Sequence, residues 1–169
     1  MIKDAKTQRT LAVNVDVDGI RFYRRIHGLD AEGGERDPIW TLGVPRFVDL
    51  FEELGLQATF FVVAEDLLSQ EEGGAAPTKG EADRRKSLLL DIQDRGHEVA
   101  SHSFAHDYGL SKAGYREIYG DLLRSREVLA ETVNRPIMGF RAPGYTLSPA
   151  LISAVTETGF SYSSSRFPS

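Results

Sequence analysis

The chain contains no cysteine, which excludes a disulfide framework. It has no apolar run that approaches membrane-spanning length, and residues 1–10 are polar, without the apolar core of a secretion signal. That pattern predicts a cytoplasmic protein with no integral membrane segment. Repeats and low-complexity stretches are also missing, so 169 residues at 41% hydrophobic content predict a single α/β domain over 1–169 with a sizeable core. Acidic side chains outnumber basic ones 25 to 20, and no basic cluster stands out, which argues against nucleic acid as a partner. Histidine is scarce as well. There are four, and three of them are His97, His102 and His106.

What is present concentrates in two short segments. In Val13-Asn14-Val15-Asp16-Val17-Asp18-Gly19 the apolar residues alternate with polar ones. Side chains of a strand alternate faces, so Leu11, Val13, Val15 and Val17 share one face and Asn14, Asp16 and Asp18 the other. Two carboxylates about 7 Å apart on one face repel each other. Either a cation lies beside them, or they cap a loop and pair with arginines. The second segment is His102-Ser103-Phe104-Ala105-His106. Residues four apart on a helical turn project from one face, which would let both imidazoles reach one ion; the alternative is a solvated or capping pair. Gly96-His97-Glu98-Val99-Ala100-Ser101 reads as a helix end and a short strand, placing His102 and His106 at that strand's C-terminal end. His97 is expected to be structural, turned toward neighbouring backbone.

The remaining pattern is of strands alternating with helices. Strands are expected at 58–63, 98–101, 138–141 and 160–164. Helices are expected from Val44 to a stop at Gly55, with Pro45 in the first turn, and over 84–95, 115–133 and 149–158. In the longest, Ile118, Leu122, Ser125 and Leu129 face inward. Residues 19–41 read as an irregular loop carrying Phe22, Tyr23, His27 and Trp40, and 71–81 as a polar loop. Alternating elements imply parallel βα units, whose sites gather at the C-terminal strand ends.

The order of these segments resembles the polysaccharide deacetylase superfamily, carbohydrate esterase family 4, from about Leu11 to the end of the chain. Its motifs are an Asp pair, a His-Ser/Thr-x-x-His segment and an Arg-x-Pro segment. Here they are Asp16-Val17-Asp18-Gly19, His102-Ser103-Phe104-Ala105-His106 and Phe140-Arg141-Ala142-Pro143-Gly144-Tyr145. The valine between the aspartates is similar to the branch of peptidoglycan deacetylases without a secretion signal and aminoarabinose deformylases. The resemblance implies an irregular (β/α) barrel, commonly of seven strands. Five are counted here, so the expectation is a domain lacking its C-terminal strands, or a partner chain, such as a second copy, that completes the barrel. Ser163, in Gly159-Phe160-Ser161-Tyr162-Ser163-Ser164-Ser165, stands where relatives often have an acid. The family's general acid is a histidine near the end of the domain, and none follows His106.

The implied chemistry is removal of an N-acetyl or N-formyl group from an amino sugar by a metal-dependent hydrolase. Asp18, His102 and His106 would hold one divalent ion, with zinc favoured and cobalt, nickel or iron open. Asp16 would act as general base, paired with Arg141, and a backbone N–H near Gly144 would hold the developing oxyanion. Tyr145, Trp40 and Tyr23 are candidates for contact with the sugar. Arg21, Arg24 and Arg25 either form a solvated face or meet a phosphate on a nucleotide-linked or lipid-linked sugar. His27 is the one unassigned histidine, expected to be solvated. Two other readings stay open: hydrolysis of another non-peptide C–N bond, as in allantoinase-like relatives, and a truncated relative that binds metal or glycan without turnover.

Overall fold

In the computed structural model of the chain, which describes residues 10–29, 37–69 and 77–166, five parallel strands lie side by side in sequence order. They are β1 (Val13–Val17), β2 (Ala58–Val62), β3 (Glu98–Ser101), β4 (Gly139–Phe140) and β5 (Tyr162–Ser163). Parallel neighbours need crossover connections, and helices supply them: α1 (Ile20–Ile26) and α2 (Val44–Glu53), then α3 (Lys79–Asp94), α4 (Tyr115–Val133) and α5 (Pro149–Glu157).

Phe60 and Phe61 are adjacent on β2, point to opposite faces, and are both fully buried, so the sheet is covered on both sides at its centre. Phe60 and Val62 join a core with Val48 and Phe51 of α2, Leu89 and Ile92 of α3, and Leu122 of α4. In α4, Ile118, Leu122, Ser125 and Leu129 are all buried. Ser125 sits in that stripe because its Oγ is 2.7 Å from Ser101 Oγ at the end of β3. Toward the sheet edges cover thins. Leu11 is 78% exposed, and both residues of β5 are exposed.

Two expectations are corrected. Residues 19–41 are not irregular throughout: α1 occupies part of this stretch, and a π-type turn over Ile39–Gly43 leads into α2. One side chain serves both, since the Asp37 carboxylate accepts from the sequence-distant Ile20 N–H at 3.0 Å and, two residues on, from Ile39 N–H at 2.9 Å. Such capping cannot be read from local periodicity. The third helix starts at Lys79 rather than Arg84. Thr78 and Glu81 form a capping box, with Thr78 N–H donating to the Glu81 carboxylate at 2.8 Å. This Thr-x-x-Glu start signal lies inside the segment expected to be loop. Of that 71–81 segment, residues 71–76 fall outside the described residues. His97 behaves as expected, its Nδ1 accepting from Ala58 N–H at 3.2 Å.

Candidate metal centre

The strand register places the site. Val17 pairs with Val62, Val62 with Ser101, Ser101 with Phe140, and Phe140 with Ser163. The residues one step further therefore form a row across the C-terminal strand ends: Asp18, Val63, His102, Arg141 and Ser164. The ladder extends into this row, because His102 N–H donates to Val62 O at 2.9 Å, Arg141 N–H to Ser101 O at 2.8 Å, and Ser164 N–H to Phe140 O at 2.8 Å. Three motifs separated by up to 125 residues thus meet because their strands are in register.

His106 joins them from a loop. The helical turn expected for the His pair is absent: residues 102–106 are non-helical, with positive φ at Ser103 (68°) and His106 (52°). Left-handed backbone at residues other than glycine is costly, and the neighbours hold it. Phe104 N–H and Ala105 N–H donate to the Asp121 carboxylate of α4 at 2.9 and 3.3 Å. His106 N–H donates to Ser103 Oγ at 3.0 Å. Carbonyls of Ser103 and Phe104 accept from Ala64 and Glu65. Asp121 was not anticipated from sequence, since on a helix it reads as one more solvated acid.

Ligand atoms of Asp18, His102 and His106 lie within 4.8 Å of one another. His102 Nδ1 is 2.8 Å from Arg141 O. A carbonyl only accepts, so Nδ1 carries the proton and Nε2 presents a lone pair. That lone pair faces Asp18 Oδ1 at 3.4 Å, and His106 Nε2 lies 3.3 Å from the same oxygen. Asp18 Oδ1 is buried without a hydrogen-bond partner among the described residues. An acceptor such as His102 Nε2 aimed at a buried carboxylate oxygen repels it unless a proton or cation lies between them. This donor set of two imidazoles and one carboxylate fits a divalent ion with coordination positions to spare.

Burial first, then the charges of Asp16 and Asp66, raise the Asp18 carboxyl to about 7. Burial and the neighbouring His102, Arg25 and Arg21 lower His106 to about 3, and burial lowers His102. Both shifts favour the neutral imidazole that can ligate, while Asp18 in the metal-free protein keeps its proton below about 7. A cation must displace that proton. Zinc affinity is expected to be near its plateau above pH 7 and to fall roughly tenfold per unit between pH 7 and 5. Calorimetric titration across that range checks this, and a pH-independent affinity would contradict it. The sign for folding is opposite. A carboxyl raised above its usual 3.8 holds in the fold a proton that the unfolded chain has lost, so Asp18 makes the metal-free fold less stable as pH rises from about 4 to 7.

Asp16 stays outside this ligand set. Its Oδ1 accepts from Arg141 Nη1 at 2.5 Å, and the Tyr145 hydroxyl is 3.3 Å from Oδ2. Arg141 lies over the Phe61 ring at 4.0 Å, and its other donors reach Ser164 O at 3.1 Å and Ser164 Oγ at 2.6 Å. Ser165 Oγ accepts from Ala142 N–H at 2.8 Å and lies 2.7 Å from Ser163 Oγ. A run of three serines therefore anchors the Arg-x-Pro segment. Gly144 lies in the turn Pro143–Tyr145 with φ of 60°, and a Cβ there would sit 2.7 Å from Tyr108 Cδ1. Conformation and contact both require glycine.

Tyr23, 45% exposed on α1, has its phenol raised by burial and then by Asp18, which places it within the field of the acid pair. Trp40 is corrected. It is 4% exposed within the core, its indole N–H donating to Asp66 Oδ2 at 3.1 Å, so its ring is not displayed to a ligand. An indole buries large apolar area and needs one acceptor, and Asp66 provides it. Arg21, read as a loop flank, is likewise buried, 2.9 Å from both Asp66 Oδ1 and Glu65. Arg85 Nη1 lies 3.5 Å from Asp66 Oδ1 and donates to Asp66 O at 3.0 Å. A Cβ on Gly19 would meet Asp66 and Asp37 oxygens at 2.8 Å. This buried network under the Asp-x-Asp-Gly turn escaped the sequence, in which Asp66 and Arg85 belong to no pattern.

The family model for polysaccharide deacetylase matches residues 37–163. A peptidoglycan deacetylase of Helicobacter pylori is 26% identical over 160 residues, covering 90% of this chain and 47% of that protein. Among solved structures, a pseudoenzyme of carbohydrate esterase family 4 from Bacillus anthracis superposes with a TM-score of 0.64 at 13% identity. It covers 93% of this chain and 43% of its own. A family 4 acetyl xylan esterase from Clostridium thermocellum, solved with a cobalt ion, gives 0.58 at 20% identity, with 85% and 53% covered. At these identities the superpositions speak for the fold, and the chain spans about half the length of the curated relative it matches. No helix among the described residues is long and apolar enough to cross a membrane. The strand-end row of Asp18, His102 and Arg141 and the match over 37–163 together place this chain in the polysaccharide deacetylase family.

Proposed function

We propose that the chain carries the metal-binding half of a hydrolase that removes an N-acetyl or N-formyl group from an amino sugar, and that residues 1–169 form one incomplete catalytic domain. The observation that carries the reading is the pair of imidazole nitrogens aimed at a buried, unpartnered Asp18 oxygen, with a second carboxylate beside them held by arginine. Asp18, His102 and His106 would hold the ion. A bound divalent ion, zinc being favoured, polarises an acyl carbonyl and makes water easier to deprotonate.

The chain's own groups do the rest. Asp16 accepts the proton of the attacking water, and Arg141 fixes the orientation of its carboxylate. The backbone N–H of Gly144 donates to the carbonyl oxygen as negative charge develops there. Tyr145 lies against the base, and Tyr23 lines the rim. As water adds to the carbonyl carbon the C–N bond breaks, the acyl group leaves as a carboxylate, and the sugar amine takes up a proton. His27 does not supply that proton in this reading: it is exposed at the end of α1, where its backbone N–H caps the helix.

A second reading, a relative that binds metal or glycan without turnover, is raised by the pseudoenzyme among the structural neighbours. The test is metal content and acetate release from an N-acetylglucosamine oligomer, measured on this chain and on the full-length protein. One ion per chain with acetate release supports the hydrolase. One ion without release in either supports the binding relative, and absence of metal from both overturns the metal site.

A further inference from the structure

Tyr108 is not part of the three motifs, yet its ring touches two of them. Its centroid lies 5.0 Å from the His106 ring at 80°, edge to face. Its Cδ1 and Cε1 occupy the space a Cβ on Gly144 would need, at 2.7 and 2.9 Å. It therefore spans the gap between a metal-ligand loop and the turn that carries the Arg-x-Pro segment. On the inner side of His106 lies the Phe22 ring, at 4.7 Å and only 2% exposed. Tyr108 is 45% exposed, so it forms the outward wall of the same ring stack.

The loop presents this ring rigidly. Asp107 Oδ1 accepts from Gly109 N–H at 2.7 Å, and Asp107 O accepts from Leu110 N–H at 3.1 Å. Leu110 is buried at 4% exposure. A half-exposed aromatic ring, fixed on both sides and adjoining a polar site, is suited to the apolar C–H face of a sugar. With Trp40 in the core, the role expected of an aromatic platform falls to a residue the motifs do not include.

We infer that Tyr108 is the aromatic platform for the sugar ring bearing the acyl group, and so a specificity-determining residue of this site. The inference rests on the hydrolase reading for its kinetic form, but not for its binding form. On the full-length protein, Tyr108→Ala is expected to raise KM for an N-acetylglucosamine tetramer about tenfold. Turnover of a small acyclic acetate ester should fall several-fold less than turnover of the tetramer, and metal content should stay within twofold of wild type. Tyr108→Phe, which keeps the ring, should behave as wild type.

If the wild-type protein releases no acetate, the hydrolase reading fails, and the inference is then read from NMR titration of the metal-loaded protein with the same tetramer. A tenfold weaker complex for Tyr108→Ala supports it. Unchanged tetramer affinity, or no detectable binding by wild type, overturns it. Equal losses on the tetramer and the acyclic ester, together with loss of metal, would mean that the ring only buttresses His106, and that also overturns it.

Discussion

Asp16→Asn is expected to lower N-deacetylation by the full-length protein about 10²–10⁴-fold, the range a positioned general base contributes, while metal content stays at one ion per chain. Asparagine keeps the size of the side chain and an oxygen that can accept from Arg141, so the row across the strand ends should survive. It cannot take a proton from water. Because Asp16 is held by Arg141 and Tyr145 rather than by the two histidines, its loss separates proton transfer from metal binding. Wild-type turnover in the variant would remove Asp16 from the role of base. Loss of metal would show instead that it ligates.

Asp66→Ala should be the most destabilising single change near the site, by about 3–5 kcal/mol, the usual cost of removing one partner from a buried ion pair. The carboxylate is fully buried, and three groups depend on it: Arg21 at 2.9 Å, Arg85 at 3.5 Å and the Trp40 indole at 3.1 Å. Truncation leaves two buried guanidinium groups short of their counter-charge. Burial outweighs the two arginines and the indole and leaves the Asp66 carboxyl above its ordinary value, so those three partners are what favour its charged form. Urea unfolding followed by Trp40 fluorescence measures the effect, and a shift below about 1 kcal/mol would show that Glu65 and Asp37 suffice for the two arginines. Asp18 shares the turn with Gly19, which packs on Asp66, so a weakened metal site is expected alongside.

The sequence was most legible where one local rule acted alone. Period-two alternation put Asp16 and Asp18 on a common strand face, and helical spacing identified the buried stripe of α4, Ser125 included. It failed where distant groups decide the local conformation. Helix α1 starts where the Asp37 carboxylate meets Ile20 N–H. The His102–His106 loop takes left-handed backbone because Asp121 on α4 and Ser103 hold its amides. Trp40 went to the core because Asp66 and Arg85 made a place for it.

By itself, then, the sequence determined which residue types were available and how they are spaced: two carboxylates on one strand face, two imidazoles after another strand, an arginine after a third, and no thiol to compete with them. Spacing along a strand is fixed by covalent geometry, so these features hold whatever the rest of the chain does. Only the tertiary structure decided that Asp18, His102 and Arg141 form one row, since that depends on the register between strands. It likewise decided that a buried aspartate lies beneath the turn and that Tyr108 closes the gap between His106 and Gly144. Those relations come from packing between segments far apart in the chain, and no local periodicity records them.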